Sequence, residues 1–128
     1  MRILVDTNIL FSALLSPGSV PAAALHKASE EHEIVLCTRN ISELEEVIKK
    51  KAPALQSKAE VLLTDLAYEL IPAINSSEET IRDAKDQPIL NAAILYEVDI
   101  ILTGDKDFLS LELEHPRCLT ASEFLKNY

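Results

Sequence analysis

The residues with the clearest capacity for chemistry are acids that recur in one kind of place, near the end of a predicted strand or the start of a predicted helix. They are Asp6, Glu43, Asp86 and Asp105. Carboxylates that converge without a cation repel one another and raise each other's pKa values. A hard divalent cation removes this conflict, and oxygen ligands suit Mg²⁺ or Mn²⁺. Together the acids predict a metal site, although each alone also fits a helix cap, a first helical turn or a loop turn.

The elements that must position these acids alternate between strand-like and helix-like patterns. Apolar segments predict strands at residues 3–5, 34–37, 99–103 and 117–120, with a weaker one at 70–74 that Pro72 interrupts. Helical spacing of apolar residues predicts helices starting near Ile9 and covering 22–29, 38–51, 55–70, 88–96 and 121–126. This alternation predicts an α/β fold of three layers, α/β/α, around a central, mostly parallel sheet.

On that scaffold the acids map to one edge of the sheet. Asp6 ends the first strand, and Glu43 lies in about the first turn of the helix after the second strand. Asp86 lies just before or within the first turn of the helix around Pro88, and Asp105 follows the strand at 99–103. Open parallel sheets place their ligand crevice at the carboxyl ends of their strands. We therefore expect the acids to meet there.

Two local details are less determined by the pattern. Thr7 or Asn8 is expected to cap the helix that starts at Ile9. Glu45 and Glu46 crowd Glu43, so a change of helix register could exchange one for another, but Glu45 points away from Glu43 on a helix. We keep Glu43 as the candidate.

Composition limits the class of protein. The chain has 128 residues, of which 48% are hydrophobic and 26% charged, a globular balance that predicts one domain over residues 1–128. Its apolar segments are too short to span a bilayer, and its beginning lacks the pattern of a signal peptide. Cys37 and Cys118 form no CxxC motif, which favours a reduced, cytoplasmic protein.

A formal net charge of -9 argues against broad electrostatic binding of nucleic acid, and the lack of Trp argues against base-stacking platforms. A nucleic-acid enzyme remains open, because a bound divalent cation reverses the local sign of an acidic site. The cations nearest the predicted edge are candidates for contacting a phosphate backbone. They are Arg39, Arg82, Lys85 and Lys106. We interpret the lysine run at 49–51 as cations at the favourable end of a helix dipole, with a phosphate contact as the alternative.

The motifs around the acids resemble those of the PIN domain family. They are Val5-Asp6-Thr7-Asn8-Ile9-Leu10, Ser42-Glu43-Leu44-Glu45-Glu46-Val47, Asp86-Gln87-Pro88-Ile89 and Thr103-Gly104-Asp105-Lys106-Asp107-Phe108. The resemblance spans nearly the whole chain and is greatest to small stand-alone prokaryotic members described as toxins of toxin–antitoxin pairs.

The resemblance implies a role for each matched residue. Asp6, Glu43, Asp86 and Asp105 would be the catalytic acids and would bind Mg²⁺ or Mn²⁺, with Asp107 as an auxiliary acid. Asn8 and Thr103 match polar positions that support the site. The implied activity is endonucleolytic hydrolysis of single-stranded RNA. The implied partners are RNA, a small antitoxin protein and a second copy of the chain.

Alternatives remain at this point. An aspartyl-phosphate phosphatase also begins with a strand that ends in Asp and needs Mg²⁺, but it usually has a second Asp two residues on, where this chain has Asn8. A receiver-like signalling domain needs an acidic pair ahead of its phosphorylated Asp. A non-catalytic interaction module would keep the acids only as caps. A stripe of leucines in the middle helix favours a homodimer; its members are Leu55, Leu62, Leu63, Leu66 and Leu70.

Overall fold

The computed structural model describes residues 1–75, 81 and 83–128. These residues form a five-stranded, all-parallel sheet of order β3-β2-β1-β4-β5. The strands are β1 (Arg2–Val5), β2 (Glu33–Cys37), β3 (Tyr68–Ile71), β4 (Ile100–Leu102) and β5 (Arg117–Leu119). Leu4 is paired with Val35 on one side and with Ile101 on the other, so β1 is the central strand. All described strands therefore end at the same edge of the sheet.

Helices join the strands and cover both faces of the sheet. They are α1 (Thr7–Leu15), α2 (Val20–Glu31), α3 (Thr38–Lys51), α4 (Gln56–Asp65), α5 (Gln87–Leu95), α6 (Lys106–Leu109) and α7 (Ala121–Asn127). Short 3₁₀ turns precede α4, at Pro53–Leu55, and α5, at Ala84–Asp86. The predicted three-layer α/β/α architecture is confirmed.

The three inner strands, β1, β2 and β4, are apolar along most of their length because each side of the sheet has its own core. Ile3 and Val5 face the cluster built by α1, α2, α3, α4 and α7, whereas Leu4 faces the cluster built mainly by α5 and Phe108. The side chains of Ile3, Leu4 and Val5 in β1 are 0% exposed. Burial of each stabilises the fold by about 1.5–3 kcal/mol, which fixes the strand that carries Asp6 at its end.

Several boundaries differ from the sequence expectations. Asp6, rather than Thr7 or Asn8, is the N-cap of α1, because its own carboxylate accepts a hydrogen bond from the Thr7 N–H. The predicted helix at 55–70 is shorter, since α4 ends at Asp65 and β3 begins soon after. The four-residue α6 was not predicted; Asp105 caps it by accepting from the Asp107 N–H.

The leucine stripe proposed for a homodimer is divided between the core and the surface. The members from 55 to 66 are half-buried and pack against the core, and only Leu70, which lies in β3 at one edge of the sheet, is 51% exposed. The homodimer stays a prediction. Within the described residues, no single helix is long and apolar enough to cross a membrane; α1 and α2 reach that length only as a pair bent by 113°.

Candidate active site

One cavity of about 330 Å³ lies at the edge where the strands end, and it brings together all four acids named from the sequence. Its lining residues are Asp6, Thr7, Asn8, Phe11, Glu43, Val47, Lys51, Asp86 and Asp105. The acids come from separate parts of the chain: the end of β1, α3, the turn before α5, and the loop after β4. The parallel topology is what collects them.

Asp6 is the most fully held of these acids and is only 7% exposed. Its Oδ1 accepts from the Thr7 N–H at 2.9 Å and from Asn40 Nδ2 at 3.2 Å. Its Oδ2 accepts from the Thr103 hydroxyl at 2.7 Å. Hydrogen bonds to both oxygens restrict the rotation of the carboxylate. Burial nevertheless raises its pKa, with the charge of Asp105 adding to the effect.

Thr103 connects the first and fourth acids. Its side chain is 0% exposed, and its Oγ1 accepts from the Asp105 N–H at 2.9 Å while donating to Asp6. Asn8 fixes the same loop from the other side, because its Oδ1 accepts from the Gly104 N–H at 3.2 Å. These contacts agree with the supporting positions that the sequence motifs suggested for Asn8 and Thr103.

Glu43 lies in the second turn of α3 rather than its first. Of the three neighbouring glutamates Glu43, Glu45 and Glu46, it is the one that lines the cavity. Glu46 is exposed, and Glu45 lines a different groove, between α3 and α4. Burial raises the pKa of Glu43, and the charge of Asp6 raises it further. The helix register therefore favours Glu43, as the spacing argument did.

Asp86 lies in an unfavourable environment for a charged carboxylate. It is 9% exposed, and its Oδ2 has no hydrogen-bond partner among the described residues. Its pKa is raised to about 7, mainly by burial. The negative charges of Asp105, Asp83 and the other two acids of the cavity raise it further. A buried oxygen without a partner, next to like charges, is the environment that a cation would relieve.

The donor set fits a hard divalent cation. Every ionisable ligand candidate around the cavity offers carboxylate oxygen, which suits Mg²⁺ or Mn²⁺ better than soft metals. A second, overlapping group consists of Asp83, Asp86 and Asp107, one carboxylate oxygen of each lying within 4.8 Å of the others. Asp107 thus lies near Asp86 without lining the cavity. Asp83 was missed; its only sequence signal is its position three residues before Asp86.

Of the predicted phosphate-binding cations, the three that the structure describes do not line the cavity. Arg39, Lys85 and Lys106 do not line it, although the charge of Arg39 lowers the pKa of Glu43. Arg82 lies outside the described residues. The cation that does line the cavity is Lys51, the last residue of α3. The run at 49–51 does end α3, as interpreted, and Lys51 also lies where the alternative, a phosphate contact, would require it.

Comparisons with known proteins agree with this geometry. The sequence model of the PIN domain family matches residues 2–107. The uncharacterized protein MJ1680 of Methanocaldococcus jannaschii is 29% identical, in an alignment that covers all of this chain and 92% of that protein. The crystal structure of VapBC2 from Rickettsia felis, bound to a DNA fragment from their promoter, contains a similar fold. Its TM-score is 0.71 at 18% identity, over 94% of this chain and 98% of that one.

Proposed function

This chain belongs to the PIN domain family, and from that premise we propose that it is a metal-dependent endoribonuclease that hydrolyses phosphodiester bonds in single-stranded RNA. The observation that carries the proposal is the set of four carboxylates, from four segments of the chain, around one cavity. The Oδ2 of Asp86, which has no hydrogen-bond partner among the described residues, supports it, because a structural cap would not leave a buried acid oxygen unsatisfied.

Asp6, Glu43, Asp86 and Asp105 are the residues proposed to hold Mg²⁺ or Mn²⁺, with Asp107 as an auxiliary acid beside Asp86. When bound, the cation supplies activation of a water molecule and stabilisation of the charge that builds on the phosphate. The chain's own contribution is orientation. Thr103 and Asn40 hold the carboxylate of Asp6 in place by hydrogen bonds. The side chains of Phe11 and Val47 give the cavity an apolar part of its lining, which water would solvate poorly.

The substrate is proposed from charge. With a net charge of -9, the surface gives little general attraction for a polyanion, so RNA would be held mainly at the loaded metal site and by cations near it. Lys51 on the cavity wall suits a phosphate contact, and Arg39, Arg82, Lys85 and Lys106 remain proposals for more distant contacts. A single strand fits this arrangement because its flexible backbone can enter a cavity of about 330 Å³.

A biological role as the toxin of a toxin–antitoxin pair is a finer proposal. It is supported by the similarity of the fold to a chain of the VapBC2 structure. The test is co-expression with each reading frame adjacent to the gene. We expect one to encode a small DNA-binding protein that co-purifies with this chain and relieves growth inhibition. Unrestricted growth on expression of this chain alone would contradict the toxin role.

The nuclease proposal is tested with purified protein and labelled single-stranded RNAs in Mn²⁺ or Mg²⁺. Cleavage should stop in EDTA and in Asp6→Asn. Asn can keep Oδ1 toward the Thr7 N–H and turn its amide toward the Thr103 hydroxyl, so the fold is retained while a ligand charge is lost. Asp65→Asn is the matched control, because Asp65 is exposed and does not line the cavity. Cleavage unaffected by Asp6→Asn would refute the proposal and leave the phosphatase and interaction-module alternatives.

A further inference from the structure

Asn40 is a polar residue at a position where helix α3 otherwise places its core side chains. The buried residues of α3 are Asn40, Leu44 and Ile48, which recur every fourth residue on one stripe. The Asn40 side chain is 0% exposed. A polar amide on an apolar stripe is unfavourable unless its hydrogen bonds serve a purpose that an apolar side chain cannot serve.

The contacts of Asn40 lead to the candidate metal site. Its Nδ2 donates to Asp6 Oδ1 at 3.2 Å and lies 3.3 Å from Thr7 Oγ1. Its backbone carbonyl accepts from the Thr7 hydroxyl at 3.1 Å. Its Oδ1 has no hydrogen-bond partner among the described residues, so the amide is retained there although only half of it is satisfied. The side-chain hydrogen bond that distinguishes Asn40 from an apolar residue is therefore the one that its Nδ2 donates to Asp6.

This donor has a counterpart on the other oxygen of the same carboxylate. Thr103, at the end of β4, donates to Asp6 Oδ2, and Asn40, in the first turn of α3, donates to Oδ1. Asn40 also precedes Glu43 by three residues, a spacing that puts both side chains on neighbouring positions of one helix face. The Asn40–Asp6 contact thus fixes the helix that carries the second acid relative to the strand that carries the first.

We propose that Asn40 is a positioning residue that orients Asp6, and through α3 sets Glu43 relative to it, for binding a divalent cation. This inference rests on the metal site of the proposed function. Hydrogen-bond partners of metal-binding carboxylates typically change metal affinity by about 10–100-fold when they are removed. Asn40 contributes no atom to the cavity lining, so its effect acts through Asp6 and α3.

The alternative role is purely structural, in which Asn40 only joins α3 to α1. The two roles differ in what Asn40→Leu does. Leu continues the apolar stripe of Leu44 and Ile48 and keeps the branched outline of Asn, so the variant is expected to fold. It removes the donor to Asp6. A positioning role predicts weaker cation binding with the fold retained, whereas a structural role predicts that affinity changes only as much as stability does.

The experiment measures Mn²⁺ binding to the whole chain by isothermal titration calorimetry and by the Mn²⁺ electron paramagnetic resonance spectrum, with melting curves in EDTA for each variant. The control is Asn91→Ala. Asn91 is a half-buried amide that donates to the Ile74 carbonyl at 2.9 Å and is not part of the cavity lining. We expect Asn40→Leu and Asn40→Ala to weaken Mn²⁺ binding about 10-fold or more, and Asn91→Ala to leave it unchanged.

The outcomes separate this inference from the proposed function. Asp6→Ala is included as the reference that removes a ligand. If Asp6→Ala abolishes Mn²⁺ binding but both Asn40 variants bind normally, the positioning role is wrong and the metal site stands. If Asp6→Ala also binds normally, the metal site itself is wrong.

Discussion

Asp86 should make the stability of the metal-free protein depend on pH in an unusual direction. Folding raises its pKa from 3.8 to about 7, mainly by burial and then by neighbouring charges. Between these values the folded protein holds more protons than the unfolded chain, so stability falls as pH rises. Taken alone, this shift makes the free energy of unfolding about 3 kcal/mol lower at pH 8 than at pH 5. For a domain of this size that corresponds to a melting temperature lower by roughly 10 °C.

The assay is the melting temperature in EDTA across this pH range for the native chain, Asp86→Asn and the control Asp65→Asn. Asp86→Asn cannot ionise, so it should lose most of the dependence and melt higher than the native chain at pH 8. Asp65 is exposed, and its replacement removes the same formal charge without changing a buried group. Mn²⁺ at pH 8 should stabilise the native chain more than Asp86→Asn. A native melting temperature that rises from pH 5 to pH 8, or that falls equally in Asp86→Asn, would refute this reasoning.

Three further predictions concern substrate, support and assembly. Lys51→Ala should raise the KM for single-stranded RNA with little change in kcat, while the neighbouring Lys50→Ala, outside the cavity lining, should leave both nearly unchanged in steady-state kinetics. Thr103→Val, which removes the donor to Asp6 Oδ2 within a fully buried space, should weaken Mn²⁺ binding about 10-fold in calorimetry. Light scattering should find a homodimer, and Val61→Glu, at a 59% exposed position of α4, should shift it toward monomer; monomer alone for the native chain at high concentration would contradict the prediction.

The sheet and the convergence of the acids could be predicted because both depend on simple, redundant patterns. β4 is apolar at every position and β1 at every position after Arg2, since both faces of the sheet are covered, and these strands stand out from the amphipathic helices. Once the strands are parallel, their carboxyl ends lie at one edge. The position of Asp6 at the end of β1 then follows from sequence order, without any knowledge of side-chain contacts.

The rest depended on rotations and contacts that local patterns do not encode. Asn40 lies on the buried face of α3, and Lys51 lies at the cavity, because of the way α3 packs on α1 and β2. A helical wheel shows which residues share a face, but it does not show which neighbouring element that face contacts. The four-residue α6 is too short for a hydrophobic period. Asp83 comes near Asp107 only because the chain before α5 folds back toward the loop after β4. The positions of Asn40, Lys51 and Asp83 thus depend on tertiary contacts between segments distant in sequence, whereas α6 was missed because of its length.

Asp6 and Asp86 differ in their hydrogen bonding, and under the proposed function this difference would give them different parts in binding a cation. Asp6 has donors on both oxygens and is held in one orientation before any cation arrives. Asp86 has a buried oxygen without a partner in the described structure, which destabilises the metal-free fold by about 1–3 kcal/mol. A cation would satisfy that oxygen, so part of the binding free energy would come from relieving Asp86, whereas Asp6 would set where the cation binds. Replacing Asp86 should therefore change how much the metal stabilises the fold, and replacing the partners of Asp6 should change how well the site is shaped for it.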